Sequence, residues 1–271
     1  MVDNTRGDDD VRRLTETAGA RWIAEPRVGL SGARNTGARS AAGEIVAFID
    51  DDAVARPDWL AAHVAALTDS SIVATAGRVL APSHVTSPGR TWAAGVEDLG
   101  DTFVRIDPTS PHWFERANFG GVGFGPNMAF RSKLFDDGWG FRESLGLGEG
   151  ERPLGEEHYA FFSLIRTGHA VAYVPDAVVY HEPPARQSEF QAKKRRLARG
   201  SASYLVMLFV EHPEFRRRTF RYAVSALRRQ RRPWRGGSFD GPLLSRRELA
   251  AAALSAPLIY FRSRRASGGT E

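Results

Sequence analysis

Residues 44–49 (EIVAFI) form a short, nearly continuous apolar run, and three consecutive aspartates, Asp50, Asp51 and Asp52, follow it directly. A run of this length is a strand rather than a helix, and its lack of alternation is the pattern of a strand covered on both faces. In an open α/β sheet, ligands bind outside the carboxyl ends of the strands. Carboxylates gathered at such an end are costly unless a cation meets them. Mg²⁺ is typically held by one or two carboxylates plus substrate phosphates. Asp50 and Asp52 therefore frame a metal that grips a diphosphate. The competing reading is a solvated acidic turn before the next helix, and the apolar run ahead of it favours the metal.

The flanking segments extend this strand into a domain. Residues 9–18 read as a helix with Asp8, Asp9 and Asp10 at its N-terminal end, where acids suit the helix dipole. Residues 20–24 are a short strand. A loop from Gly29 feeds a helix that stops at Gly43. Pro57 opens another helix, to about residue 67, and residues 72–80 are a strand. This alternation predicts an α/β fold with a mainly parallel sheet flanked by helices. Residues 81–118 read as a long irregular excursion, and residues 120–127 are glycine-rich. A helix spans 156–167, and two strands, 170–174 and 177–180, flank Pro175-Asp176. Three helices, 188–210, 213–229 and 244–261, complete the chain.

Charge divides the 271 residues unequally. Residues 1–185 carry 17 Lys and Arg against 26 Asp and Glu, a net of −9, whereas residues 186–271 carry 20 against 6, a net of +14. The first part reads as an acidic globular unit able to hold a metal, and the second as a segment that meets a polyanion. There is no cysteine, which excludes disulfides, zinc–thiolate sites, iron–sulfur clusters and cysteine nucleophiles. No apolar run reaches transmembrane length and no leader is visible, so a cytoplasmic location is expected.

The segment GLSGARNTGARSAAGEIVAFIDDDAVARPDWL, residues 29–60, resembles the family 2 glycosyltransferases of the GT-A fold. The likeness continues in Gly125-Pro126-Asn127-Met128-Ala129-Phe130-Arg131, in Gly155-Glu156-Glu157 at the head of a helix, and in the strand from Tyr173 to His181. These motifs stand in the family's order and cover residues 3–185. The resemblance implies a GT-A core over 1–185 and a basic helical extension over 186–271. It implies metal binding by Asp50, Asp52 and His181, with Mg²⁺ or Mn²⁺ as the ion. It places Asp3, Arg34, Asn35, Asp50, Asp51 and, less directly, Arg199 at a nucleotide-sugar donor. Glu157 matches the catalytic base, with Glu in place of the family's usual Asp and Glu156 as its rival. A helix N-terminus simply favouring acids would also explain both glutamates. Trp92, Trp113 and Trp139 are packing residues as readily as sugar platforms.

The resemblance further implies inverting transfer to a hydroxyl acceptor, such as an envelope polysaccharide or a lipid-linked glycan. The family's first strand and helix have no counterpart ahead of Val2, so the chain is expected to start late and to leave sheet edge uncovered. A degenerate, non-catalytic module that binds a glycan or a partner at a membrane is the alternative. The basic clusters 193–196, 216–218, 228–232 and 264–265 lie beside apolar patches, which suits an anionic membrane surface, peripherally on its inner face. A solvated helical cap competes evenly with that reading, and nucleic acid is the least favoured partner.

Overall fold

The structure, a computed structural model, describes residues 1–5, 9–82, 99–148, 150–181, 187–229 and 244–266. The expected division at 185/186, Trp92 and the stretch 232–242 between the second and third expected helices lie outside the described residues.

The chain opens with β1 (Val2–Asp3), helix α1 (Asp9–Thr17) and β2 (Ile23–Ala24), and β1 and β2 pair in parallel. Helix α2 (Leu30–Arg39) leads to β3 (Ile45–Ile49), and a tight turn through the three aspartates enters β4 (Ala53–Ala55). Next come α3 (Trp59–Ala66), β5 (Ile72–Leu80), β6 (Val104–Ile106), α4 (Trp113–Asn118), β7 (Asn127–Arg131) and α5 (Lys133–Asp136). Helix α6 (Glu156–Arg166) and the long strand β8 (Ala170–His181) follow.

The main sheet runs in the order β3-β7-β5-β8-β4, with β6 pairing on β8. The sheet is mixed: β5 and β8 are parallel, and β3 points the same way because β7 lies antiparallel to both β3 and β5. β4 and β6 run antiparallel to β8. Among the described residues β3 is therefore an edge strand. Only Val46 of it is fully buried and Ile49 is exposed, in contrast to the two-sided cover that its apolar run suggests.

The two strands expected around Pro175-Asp176 form one strand with a bulge. Opposite Gly77 and Arg78, the β8 partners jump from Val174 to Val178. A bulge absorbs the proline, which could not continue a regular ladder. Asn127 closes the gap, donating from Nδ2 to Arg78 O (2.9 Å) and Ala177 O (2.7 Å). A Cβ at Gly77 would stand 2.1 Å from Ala177 O, so the close approach requires glycine. Within the stretch read as irregular, β6 and α4 are regular. Their Ile106, Phe114 and Ala117 are buried in the core, and tertiary contacts there override a weak local signal.

Aromatic rings fill the core on the α6 side of the sheet. Phe130 stacks on Phe161 and Trp139, and Phe114 stacks on Phe215. Trp113 stacks on Phe162 and Trp139 donates to Ser163 Oγ, so both tryptophans are packing residues. Beyond β8 lie α7 (Gln187–Glu211), a 3₁₀ turn, α8 (Arg216–Arg229) and α9 (Arg246–Ala266). Tyr204, Met207 and Leu208 of α7 and Tyr260 of α9 belong to the same buried cluster as Phe161. Arg142 forks onto Glu211 at 2.5 and 3.2 Å, and Tyr260 donates to that glutamate at 2.8 Å, tying the extension to the loop ahead of α6.

Candidate functional site

The turn after β3 and the end of β8 meet because Ala53 pairs with His181 across the β4–β8 ladder. That register sets His181 Nε2 3.2 Å from Asp52 Oδ1. One ligand atom from each of Asp50, Asp52 and His181 lies within 4.8 Å of the other two. Atoms this close could share one divalent ion. Two carboxylates and an imidazole suit a divalent cation. Asp52 is exposed and free to adjust, while His181 is buried. Asp51, between the two ligands, is exposed.

Arg34 joins this group to the head of α6. Its guanidinium donates from Nη1 to Glu156 Oε1 at 3.0 Å and from Nη2 to Gly125 O at 3.3 Å, and Nη2 lies 3.6 Å from Asp50 Oδ1. Its cationic centre also sits 5.5 Å from the middle of the Phe141 ring. Burial pushes Asp50 above the usual carboxylate range, and Asp52 adds to this while Arg34 opposes it.

Helix α6 begins at Gly155, whose φ of 98° is left-handed backbone that glycine adopts without strain. Glu156 and Glu157 follow in the first turn, where the dipole favours acids. Their environments differ. Burial raises Glu156 to about 7, and the charge of Glu157 adds to this more than Arg34 subtracts. Glu157 is also pushed upward by burial, but His158, Arg34 and the helix backbone together outweigh this and hold it below the usual carboxylate range. His158 Nδ1 stands 3.2 Å from Glu157 Oε1, an ion contact without hydrogen-bond geometry. Burial opposes the charge on His158, yet Glu157 raises it above its ordinary value. His158 went unnoticed in the sequence, where only its place beside two glutamates could have flagged it.

Several sequence candidates stand apart from this centre. Asn35 spans the Phe141 backbone, donating from Nδ2 to its carbonyl at 2.8 Å and accepting from its N–H at 2.7 Å. It therefore pins the loop whose Phe141 ring underlies Arg34. Asp3 is buried on β1, where its carboxylate accepts from the Thr5 hydroxyl (2.6 Å) and Trp22 Nε1 (3.2 Å). Arg199 lies on α7 and pairs with Glu151 at 2.7 Å. Asn127, in the Gly125–Arg131 segment, is a structural hub: its Oδ1 accepts from Trp59 Nε1 (2.7 Å) and from His63 Nε2 (2.8 Å).

Comparison with known proteins gives the family and the fold. The model of Glycosyl transferase family 2 matches residues 1–139, about half of the chain. A pre-mycofactocin glycosyltransferase of Mycobacterium tuberculosis is 28% identical over 188 residues, 69% of this chain and 36% of that protein. A glucosyl-dolichyl phosphate glucuronosyltransferase of Haloferax volcanii is 26% identical over 169 residues, 60% of this chain and 50% of that one. The chain thus spans half or less of the length of these curated relatives. The mannosyltransferase PcManGT from Pyrobaculum calidifontis, solved with GDP-Man and Mn²⁺, superposes with a TM-score of 0.50 at 22% identity. That superposition covers 100% of this chain and 65% of the other and gives the fold as GT-A. On the family match and the shared fold, the chain belongs to glycosyl transferase family 2.

Proposed function

We propose that this protein is an inverting, metal-dependent glycosyltransferase that moves a sugar from a nucleoside-diphosphate sugar to an acceptor hydroxyl. The observation that carries the reading is the junction of Asp50, Asp52 and His181, linked through Arg34 to the glutamates that open α6. Mn²⁺ and GDP-Man in the mannosyltransferase structure support the choice of metal and donor class. A divalent ion on the three ligands would offset the charge that builds on a departing nucleoside diphosphate.

The chain's own residues supply the rest. Arg34 neutralises Glu156 and part of Asp50, so the donor side keeps a fixed cation beside its carboxylates. Glu157, ionised by His158, takes the proton of the acceptor hydroxyl as that oxygen attacks the anomeric carbon from the face opposite the leaving group. Glu156, paired and largely buried, positions Arg34. Peripheral membrane binding fits the extension: Phe220, Leu254, Leu258 and Phe261 are exposed on helices rich in arginine, and no helix of the described residues is long and apolar enough to cross a membrane. A lipid-linked or envelope glycan acceptor goes with that surface.

A donor screen with GDP-mannose, UDP-glucose and UDP-GlcNAc tests the reading. Nucleoside-diphosphate release that requires Mn²⁺ or Mg²⁺ supports it. Silence with every donor favours the non-catalytic module.

A further inference from the structure

A cavity of about 390 Å³ lies between the loop before α6 and helix α7. Arg152, Arg195, Arg196 and Arg199 line it, with Glu151 the one acid among the described lining residues. Arg199 is held by Glu151 at 2.7 Å, and Arg195 by Glu248 at 3.3 Å, from outside the lining. Arg196 has no ion-pair partner among the described residues, and the described lining holds four arginines to one acid. Glycines let the cavity's walls pack closely. A Cβ on Gly200 would meet Leu154 Cγ at 2.2 Å, and one on Gly146 would stand 2.9 Å from Glu156 Cδ. Gly146 thus separates the cavity from the Glu156 carboxylate by a single residue. The metal ligands Asp50, Asp52 and His181 take no part in the lining.

Several arginines lining a concave site, with one acid among the described lining residues, match the charge of a phosphate. We propose that this cavity is an anion subsite, distinct from the metal group, that holds a phosphate monoester or diester belonging to the acceptor. The word acceptor rests on the transferase reading. The anion subsite itself does not.

Two arms separate the sources of such a phosphate. Calorimetric titration with glucose 1-phosphate reads a soluble one. Flotation with vesicles of phosphatidic acid in phosphatidylcholine, against phosphatidylcholine alone, reads a lipid one. In at least one arm the wild type is expected to bind, Arg196→Ala to bind about tenfold more weakly, and Arg196→Glu more weakly still, as follows from loss of a charge-assisted contact. Glu151→Gln, which frees Arg199, is expected to bind more tightly. Titration of GDP and UDP with Mn²⁺ should give affinities for Arg196→Ala within about twofold of wild type. The proposal is overturned if neither arm shows binding, if the bound arm ignores both Arg196 substitutions, or if nucleoside-diphosphate affinity falls in step. No arm requires turnover, so a protein that binds phosphate here yet transfers no sugar overturns the transferase reading alone.

Discussion

The Arg34 guanidinium donates to the Glu156 carboxylate at 3.0 Å, and both side chains are more than nine-tenths buried. Breaking one half of a buried pair strands the other charge, which costs more than the pair itself contributes. Arg34→Ala is therefore expected to lower unfolding free energy by about 3–5 kcal/mol. Arg34→Met/Glu156→Met should recover much of that loss. Urea denaturation of the three proteins measures both values.

Glu156 and Glu157 are separated by their titration. If Glu157 is the base, the acid limb of kcat/KM should lie below the ordinary carboxylate range, because His158 helps hold that carboxyl down. His158→Gln removes this support and should move the limb upward. If Glu156 were the base, the wild-type limb would lie above that range, because burial raises that carboxyl. Glu157→Gln is expected to lower kcat by about 10²–10⁴-fold.

Asn35 separates a structural role from a donor-binding one. Asn35→Ala removes two hydrogen bonds to the buried Phe141 backbone and should cost about 2–3 kcal/mol of stability. Nucleotide affinity, measured below the melting point, should change little. A stable variant with lost donor affinity would instead restore Asn35 to the donor site.

His63 is buried between α3 and the sheet, and burial lowers it to about 4 despite its bond to Asn127. Asn127 Oδ1 only accepts, so His63 Nε2 carries the proton and Nδ1 accepts from the Thr75 hydroxyl at 2.8 Å. The unfolded chain takes up a proton near pH 6.5 and the folded one only near 4, so stability falls as pH drops through that window. The loss from this group approaches about 3 kcal/mol at the acid end. Denaturation at pH 7 and pH 4.5 should show it, and His63→Gln should flatten it.

The sequence exposed what is local and concealed what is paired at a distance. Strand β5 was legible to the residue, and the ends of α1, α3, α6 and α7 within about two residues, because periodicity and stop residues are written along the chain. Asp50 and Asp52 were legible because acids at a strand end have few structural uses. His181 could be joined to them only through resemblance, since the β4–β8 register that places it involves a three-residue strand too short to show a pattern. Pro175 read as a break, yet a bulge sealed by the distant Asn127 absorbs it. Asn35 and Arg34 are neighbours in one motif, but helical geometry turns one toward Phe141 and the other toward Glu156. Sequence adjacency carried no information about that split.

In the proposed function Asp50, Asp52 and His181 hold the ion that sugar transfer requires. Nucleoside-diphosphate release from an accepted nucleotide sugar, followed across a Mn²⁺ titration for wild type and Asp52→Ala, tests this. Saturable Mn²⁺ activation in the wild type, abolished in a folded Asp52→Ala, is the result expected. Equal release by both proteins, or wild-type release that persists in excess chelator, would contradict it.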